Sequence, residues 1–429
     1  MTYAQLAYQS GFGSHLQSEA VPNALPKGQN SPKHAPHGLY AEQMNGSAFT
    51  RPRHQNLRSW LYRILPSVAH GDFQETKHHG FMQPQSQVAL PNQLRWSALP
   101  HPKGAIDFVQ SWQTLAFNGG PLNHQGGAIY LYGANTSMKD TYFYNADAEM
   151  LMVPYEGEML IKTEFGWLTL TPGEIASLPR GVKFQVEVTQ GPIMGYLLEN
   201  YGQKLTLPDL GPIGANGLAN PRDFQTPVAR FEDIHGDFRL QCKFDHKLWE
   251  AKISASPLNV VAWHGNYAPY KYDLRLFNVM NTVSFDHPDP SIFTVLTSPS
   301  EVAGVANIDF VIFPERWMVA ENTFRPPYYH RNIMSEYMGL IYGKYDAKNT
   351  DFMPGGGSLH NCMSAHGPDT QTFLCATKAN DSPIKQKDTL AFMFESSKPW
   401  IPSQWAYQSE LRQREYMKCW EKLPRQFKG

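Results

Sequence analysis

The sequence predicts a mainly β protein, built as β-sandwich or jelly-roll domains with few peripheral helices. Three observations carry that expectation. Glycine and proline number 33 each. From about residue 100 onward, short apolar runs alternate with turn-forming clusters, as in chains of short strands. Some of those runs also show the period of two expected of half-buried strands. At 429 residues the chain exceeds one ordinary core, so two domains are expected.

In chain order, residues 1 to about 50 are rich in Gly, Pro, His, Asn and Gln and read as an extended arm ordered by contacts. Residues 56–64 read as a helix, and residues 159–170 as a hairpin turning at Phe165-Gly166. Gly173-Glu-Ile-Ala-Ser-Leu-Pro179-Arg-Gly181 has the G-x5-P-x-G spacing of the second cupin motif, with glycines for the turns. Metal-binding cupins place a His three positions after the last glycine. Phe184 stands there instead, so a barrel around residues 140–200 is expected to be metal-free. Lys183, Gln185 and Glu187 interleave with Phe184, Val186 and Val188, the alternation of a half-buried strand. The expected division is an N-terminal β-sandwich domain over residues 1–280 and a C-terminal domain over 281–429. Residues 308–313 and 389–394 read as buried strands, and 404–418 as a helix.

Composition excludes several function classes. Formal net charge is −1 and no run of five or more like charges occurs, so no surface for nucleic acid or anionic membrane is expected. The four cysteines are scattered and form no CxxC pair, which argues against both a disulfide framework and a thiolate zinc site. No stretch approaches the ~20 apolar residues of a membrane span. The opening Met1-Thr-Tyr-Ala-Gln-Leu lacks the order of a signal peptide, so a cytoplasmic location is expected.

The chemistry-bearing stretch runs Pro326-Pro-Tyr-Tyr-His330-Arg-Asn-Ile-Met-Ser-Glu336, then Gly355-Gly-Gly-Ser-Leu-His360 and Ala365-His366-Gly-Pro-Asp369. Non-haem Fe(II) oxygenases need two neutral imidazoles and one carboxylate on one face of an octahedron, leaving the other face for substrate and O2. On a strand, His330 and Glu336 would point to the same side, and His366 would complete the face, with His360 as a competitor. The bland readings stand beside these: a core histidine bonded to a carbonyl, and a carboxylate facing water. His287, in Phe285-Asp-His-Pro-Asp-Pro, is a candidate base for a phenol or a turn histidine. Tyr345 is a candidate donor to a substrate carboxylate or a core tyrosine. The loop over residues 351–357 reads as a lid or a static connector. His70, His78 and His79 read as surface residues, and His264 as structural.

Together these stretches closely resemble the homogentisate 1,2-dioxygenase family over almost the whole chain. The likeness includes Tyr8-Gln-Ser-Gly-Phe-Gly-Ser, Gly38-Leu-Tyr-Ala-Glu-Gln and Arg58-Ser-Trp-Leu-Tyr-Arg. Most specific are Phe285-Asp-His-Pro-Asp-Pro, Pro326-Pro-Tyr-Tyr-His-Arg-Asn and Pro354-Gly-Gly-Gly-Ser-Leu-His. The resemblance implies a cupin-type β architecture, Fe(2+) as cofactor, homogentisate and O2 as substrates, and a homohexamer of two trimers. It implies iron ligation by His330, Glu336 and His366, and proton acceptance by His287. Substrate contact would come from Tyr345 and His366, with His360 near the bound ring. A gentisate-type dioxygenase, a metal-free cupin isomerase and a non-enzymatic cupin are the alternatives.

Overall fold

The computed structural model describes residues 6–81, 88–209, 218–286, 290–345, 347 and 352–429. Within them strands dominate, and the mainly β expectation holds. The two longest strands, Glu149–Thr163 and Phe184–Asn200, run antiparallel at the centre of a 14-stranded sheet. Met150, Met152, Phe184, Val186 and Leu197 from this pair are fully buried. Residues 159–170 form the expected hairpin, with Met159 opposite Leu170 and Thr163 opposite Gly166. The cupin-like spacing also has its physical reason. Gly173 and Gly181 flank strand Glu174–Leu178 with φ of +92° and +88°, a region that side chains disfavour. Phe184 packs against Phe143 and Phe108, at centroid distances of 5.5 and 6.4 Å, so an aromatic ring fills the apolar core at that position.

Three local expectations need correction. Residues 56–64 are not helical: Arg58–Arg63 is a strand between Tyr40–Asn45 and Val260–Gly265. Its neighbours take both rows of backbone bonds, and pairing overrides local propensity. Only Gln404–Gln408 of the expected C-terminal helix is α-helical, capped by Ser403. Beyond it the backbone turns to the sheet: Gln413 N–H donates to the Arg95 carbonyl, and Arg412 forms a bridge with Trp96. His78 is not a solvated surface residue. It is buried, its Nε2 donates to the Val109 carbonyl at 2.8 Å, and its Nδ1 accepts from the backbone of Gly80 and Phe81. A helix missed by the sequence reading, Thr370–Lys378, starts at an Asp369 cap that accepts from Thr372 N–H.

The described part of the N-terminal arm contributes strands rather than merely lying on a surface. Tyr8–Ser10 pairs with Gln225–Pro227, and Leu16–Glu19 with Val260–Gly265. The C-terminal half centres on a six-stranded sheet in the order Thr294–Pro299, Ala306–Phe313, Leu390–Ser396, Ser335–Tyr342, Gly357–His360, Leu94–Trp96. Ala306–Phe313 and Leu390–Ser396 are the two buried strands expected there. The last strand comes from the N-terminal half and covers what would otherwise be an open edge. In return, Ile401–Pro402 pairs with Phe117 and Ala116. Each half thus completes the other.

Candidate metal centre

Strand Ser335–Tyr342 carries Glu336, and strand Gly357–His360 places His360 directly opposite it. The sequence expectation that His330 and Glu336 share one strand is not met. Pro326 and Pro327 precede a segment without regular pairing, and Glu336 lies one residue into its strand. His330 reaches the same place by another route. It bridges His366 in antiparallel fashion, His330 N–H to the His366 carbonyl at 2.9 Å and the reverse bond at 3.1 Å. That mutual pair sets the two rings side by side, 4.2 Å between centroids.

Backbone carbonyls fix both tautomers. His330 Nδ1 lies 2.6 Å from the Tyr328 carbonyl and His366 Nδ1 lies 2.9 Å from the Ser364 carbonyl. A carbonyl can only accept, so each Nδ1 carries a proton, and in the neutral ring it is Nε2 that keeps a lone pair for a metal. His366 Nε2 in turn lies 3.0 Å from Glu336 Oε2. Two lone pairs at that distance repel unless a positive centre, a proton or a metal ion, sits before them. Asn332 Nδ2 donates to the other oxygen, Glu336 Oε1, and orients the carboxylate. The side chains of Glu336 and His366 are only 6% and 8% exposed.

Among the described residues one group of His, Cys, Asp and Glu side chains has the spacing to hold a metal: His330, Glu336 and His366, their donor atoms within 4.8 Å of one another. Two imidazoles and one carboxylate fit the donor set of a non-haem Fe(II) site. His360 is adjacent but differently engaged. Its ring stacks on His366 at 4.0 Å, and its Nε2 contacts the Tyr416 hydroxyl at 3.0 Å.

These residues open into one pocket. Its apolar wall includes Phe313, Met338, Phe352 and Met393, and it also contains Tyr345, His360 and Ser358. Tyr345 is 7% exposed, its ring near Phe313 and Phe352. His287 lies outside the described residues, as does Asp351 of the expected lid loop; Pro290, just after the first, lines the pocket. From Gly355 onward that loop is packed, with Gly355 against Tyr155 and Ala98. Sequence reasoning missed Asn332 and Tyr416. Asn332 lay within the motif stretch and its amide next to a carboxylate was a usable signal; Tyr416 offered none, because only the fold brings the C-terminal segment here.

The described residues contain no helix long and apolar enough to cross a membrane. Solved structures to which the chain shows a distant likeness include a cupin 2 conserved barrel domain protein from Leptotrichia buccalis. It is 8% identical, covering 63% of this chain and 84% of that one, with a TM-score of 0.26. A mutant of Bacillus subtilis oxalate decarboxylase is 10% identical over 70% and 79%, with a TM-score of 0.28. The bacterial pirin YhhW from Escherichia coli, in complex with nickel(II), is 8% identical over 76% and 95%, with a TM-score of 0.25. Scores this low say nothing about chemistry. The family comparison is of another order. A model described as homogentisate 1,2-dioxygenase N-terminal matches residues 7–274, and its C-terminal counterpart matches residues 275–427. Matched in both halves and almost from end to end, this chain belongs to the homogentisate 1,2-dioxygenase family.

Proposed function

We propose that this chain is an Fe(II)-dependent dioxygenase that converts homogentisate and O2 to 4-maleylacetoacetate, a step of tyrosine and phenylalanine breakdown. One observation carries the reading: His330 Nε2, His366 Nε2 and a Glu336 oxygen converge at the end of a pocket whose remaining wall is largely apolar. Such a pocket suits an aromatic ring with a few polar handles.

In this proposal His330, Glu336 and His366 hold the iron. When bound, the ion supplies Lewis acidity toward a substrate oxygen and the redox chemistry of O2. The protein's own part is positioning and proton handling. Tyr345 donates a hydrogen bond to the acetate of homogentisate and so fixes which hydroxyl meets the metal site. His287 accepts the proton of that hydroxyl, a transfer that imidazole can perform near neutral pH. Phe313, Phe352, Met338 and Met393 exclude water around the ring. Ring opening between the hydroxyl-bearing and acetate-bearing carbons needs no organic cofactor, because the substrate provides the electrons. The family resemblance also supports assembly as a hexamer of two trimers, and the four free thiols fit a reducing cytosol.

Anaerobic purification with Fe(II), followed by homogentisate and O2, tests the proposal. Product absorbance should rise in proportion to bound iron. Turnover of gentisate in place of homogentisate, or full turnover by metal-free protein, would reject it.

A further inference from the structure

Arg95 and Tyr416 approach the pocket wall from distant parts of the chain. Across the six-stranded sheet Met393, Met338, Ser358 and Arg95 stand opposite one another in register. Register partners share a face, so these four side chains form one row. The first three line the pocket, and Arg95 is the next position along. Arg95 is 4% exposed, and among the described residues its Nε and Nη2 have no hydrogen-bond acceptor, so its charge is felt chiefly by the Tyr416 phenol beside it. Its guanidinium carbon lies 3.9 Å from the centroid of the Tyr416 ring and 5.3 Å from that of Phe352.

Tyr416 is 5% exposed and places its hydroxyl 3.0 Å from His360 Nε2. Burial pushes this phenol well above its usual range, against the opposing pull of Arg95, so it keeps its hydrogen. A cation over the ring face draws electron density from the oxygen. The hydroxyl becomes a better donor and a poorer acceptor.

We infer that Tyr416, with Arg95 against its ring, donates to His360 Nε2 and thereby sets His360 in the tautomer that carries its proton on Nδ1. His360 then meets a ligand in the pocket as an N–H donor, suited to an oxygen anion such as a phenolate or carboxylate. Tyr416 is a positioning residue, since it acts through His360. The naming of the anion rests on the homogentisate reading above; the tautomer does not.

Neutron diffraction from crystals of the deuterated, iron-loaded full chain decides the proton positions. The expected result is deuterium on His360 Nδ1 and on the Tyr416 hydroxyl, directed at His360 Nε2. Deuterium on His360 Nε2 overturns the inference. In solution, Tyr416→Phe keeps the ring and removes the donor. It should lower kcat/KM for homogentisate by roughly tenfold while iron content stays at the wild-type level; an unchanged kcat/KM also overturns it. A wild-type holoenzyme inert toward homogentisate removes the substrate assignment alone, because the neutron result still decides the tautomer.

Discussion

The two halves of this protein bury polar groups to opposite ends. In the N-terminal half, Lys243 is fully buried with its ammonium 3.0 Å from both Asp147 Oδ2 and Glu199 Oε2. Glu199 also accepts from Tyr130, Tyr201 and Asn145, and Asp147 from the backbone of Asp245 and His246. One ammonium is shared between the two carboxylates, and every carboxylate oxygen there has a donor. In the C-terminal sheet, Glu336 Oε2 faces His366 Nε2 with both lone pairs turned the same way. The first arrangement is complete as folded; the second needs a cation. Polar burial therefore separates scaffold from site only when donors and acceptors are counted.

The contrast can be broken most directly at Glu336. Glu336→Ala should abolish both metal retention and turnover, measured by metal content and oxygen uptake; iron still bound at wild-type occupancy would remove Glu336 from the ligand set. His287→Gln should keep its iron yet lose at least roughly 10²-fold in kcat, the usual scale of a lost general base. Wild-type rates in that variant would reject the proton-acceptor role. On the scaffold side, Lys243→Met strands two buried carboxylates and should destabilise the fold by about 3–5 kcal/mol in denaturant unfolding. Metal content at low denaturant should be unaffected, because the site lies in the other half.

A smaller effect sharpens the same comparison through pH. Burial, opposed by its bond to the Val109 carbonyl, lowers the His78 pKa from its ordinary 6.5 to about 4. The folded state thus prefers neutral His78, and the unfolded chain binds its proton first. Stability from this residue is complete above pH 6.5, falls as pH drops from 6.5 towards 4, and is level below. The whole loss amounts to about 3 kcal/mol. His78→Gln should flatten unfolding free energy across that window; a variant with the wild-type slope would acquit His78.

Much of the site was legible because its residues are close in sequence. His330, Glu336, His360 and His366 fall in one window, and the chemistry of two imidazoles with a carboxylate narrows the metal. The route by which they meet was not legible. Strand periodicity suggested a shared strand for His330 and Glu336, whereas a bridge between His330 and His366 does the work. Likewise, that His366 rather than His360 groups with His330 and Glu336 shows only in the spacing of their donor atoms, and His360 is engaged by Tyr416 from the far end of the chain. His78 was misread because its neighbours Lys77 and His79 are polar; only the packing of Phe81 and the Val109 carbonyl shows that it is inside.

By itself the sequence determined the β class, the hairpin over residues 159–170, the glycine turns at Gly173 and Gly181, and a short roster of candidate ligands. Each follows from local constraints: alternation, turn geometry, and the electron-pair donors available. Tertiary structure decided the rest. It made Arg58–Arg63 a strand, lent Leu94–Trp96 to the C-terminal sheet, and brought Arg95 and Tyr416 to His360. Those outcomes depend on which backbone edges find partners across long separations, and no local window of sequence contains that information.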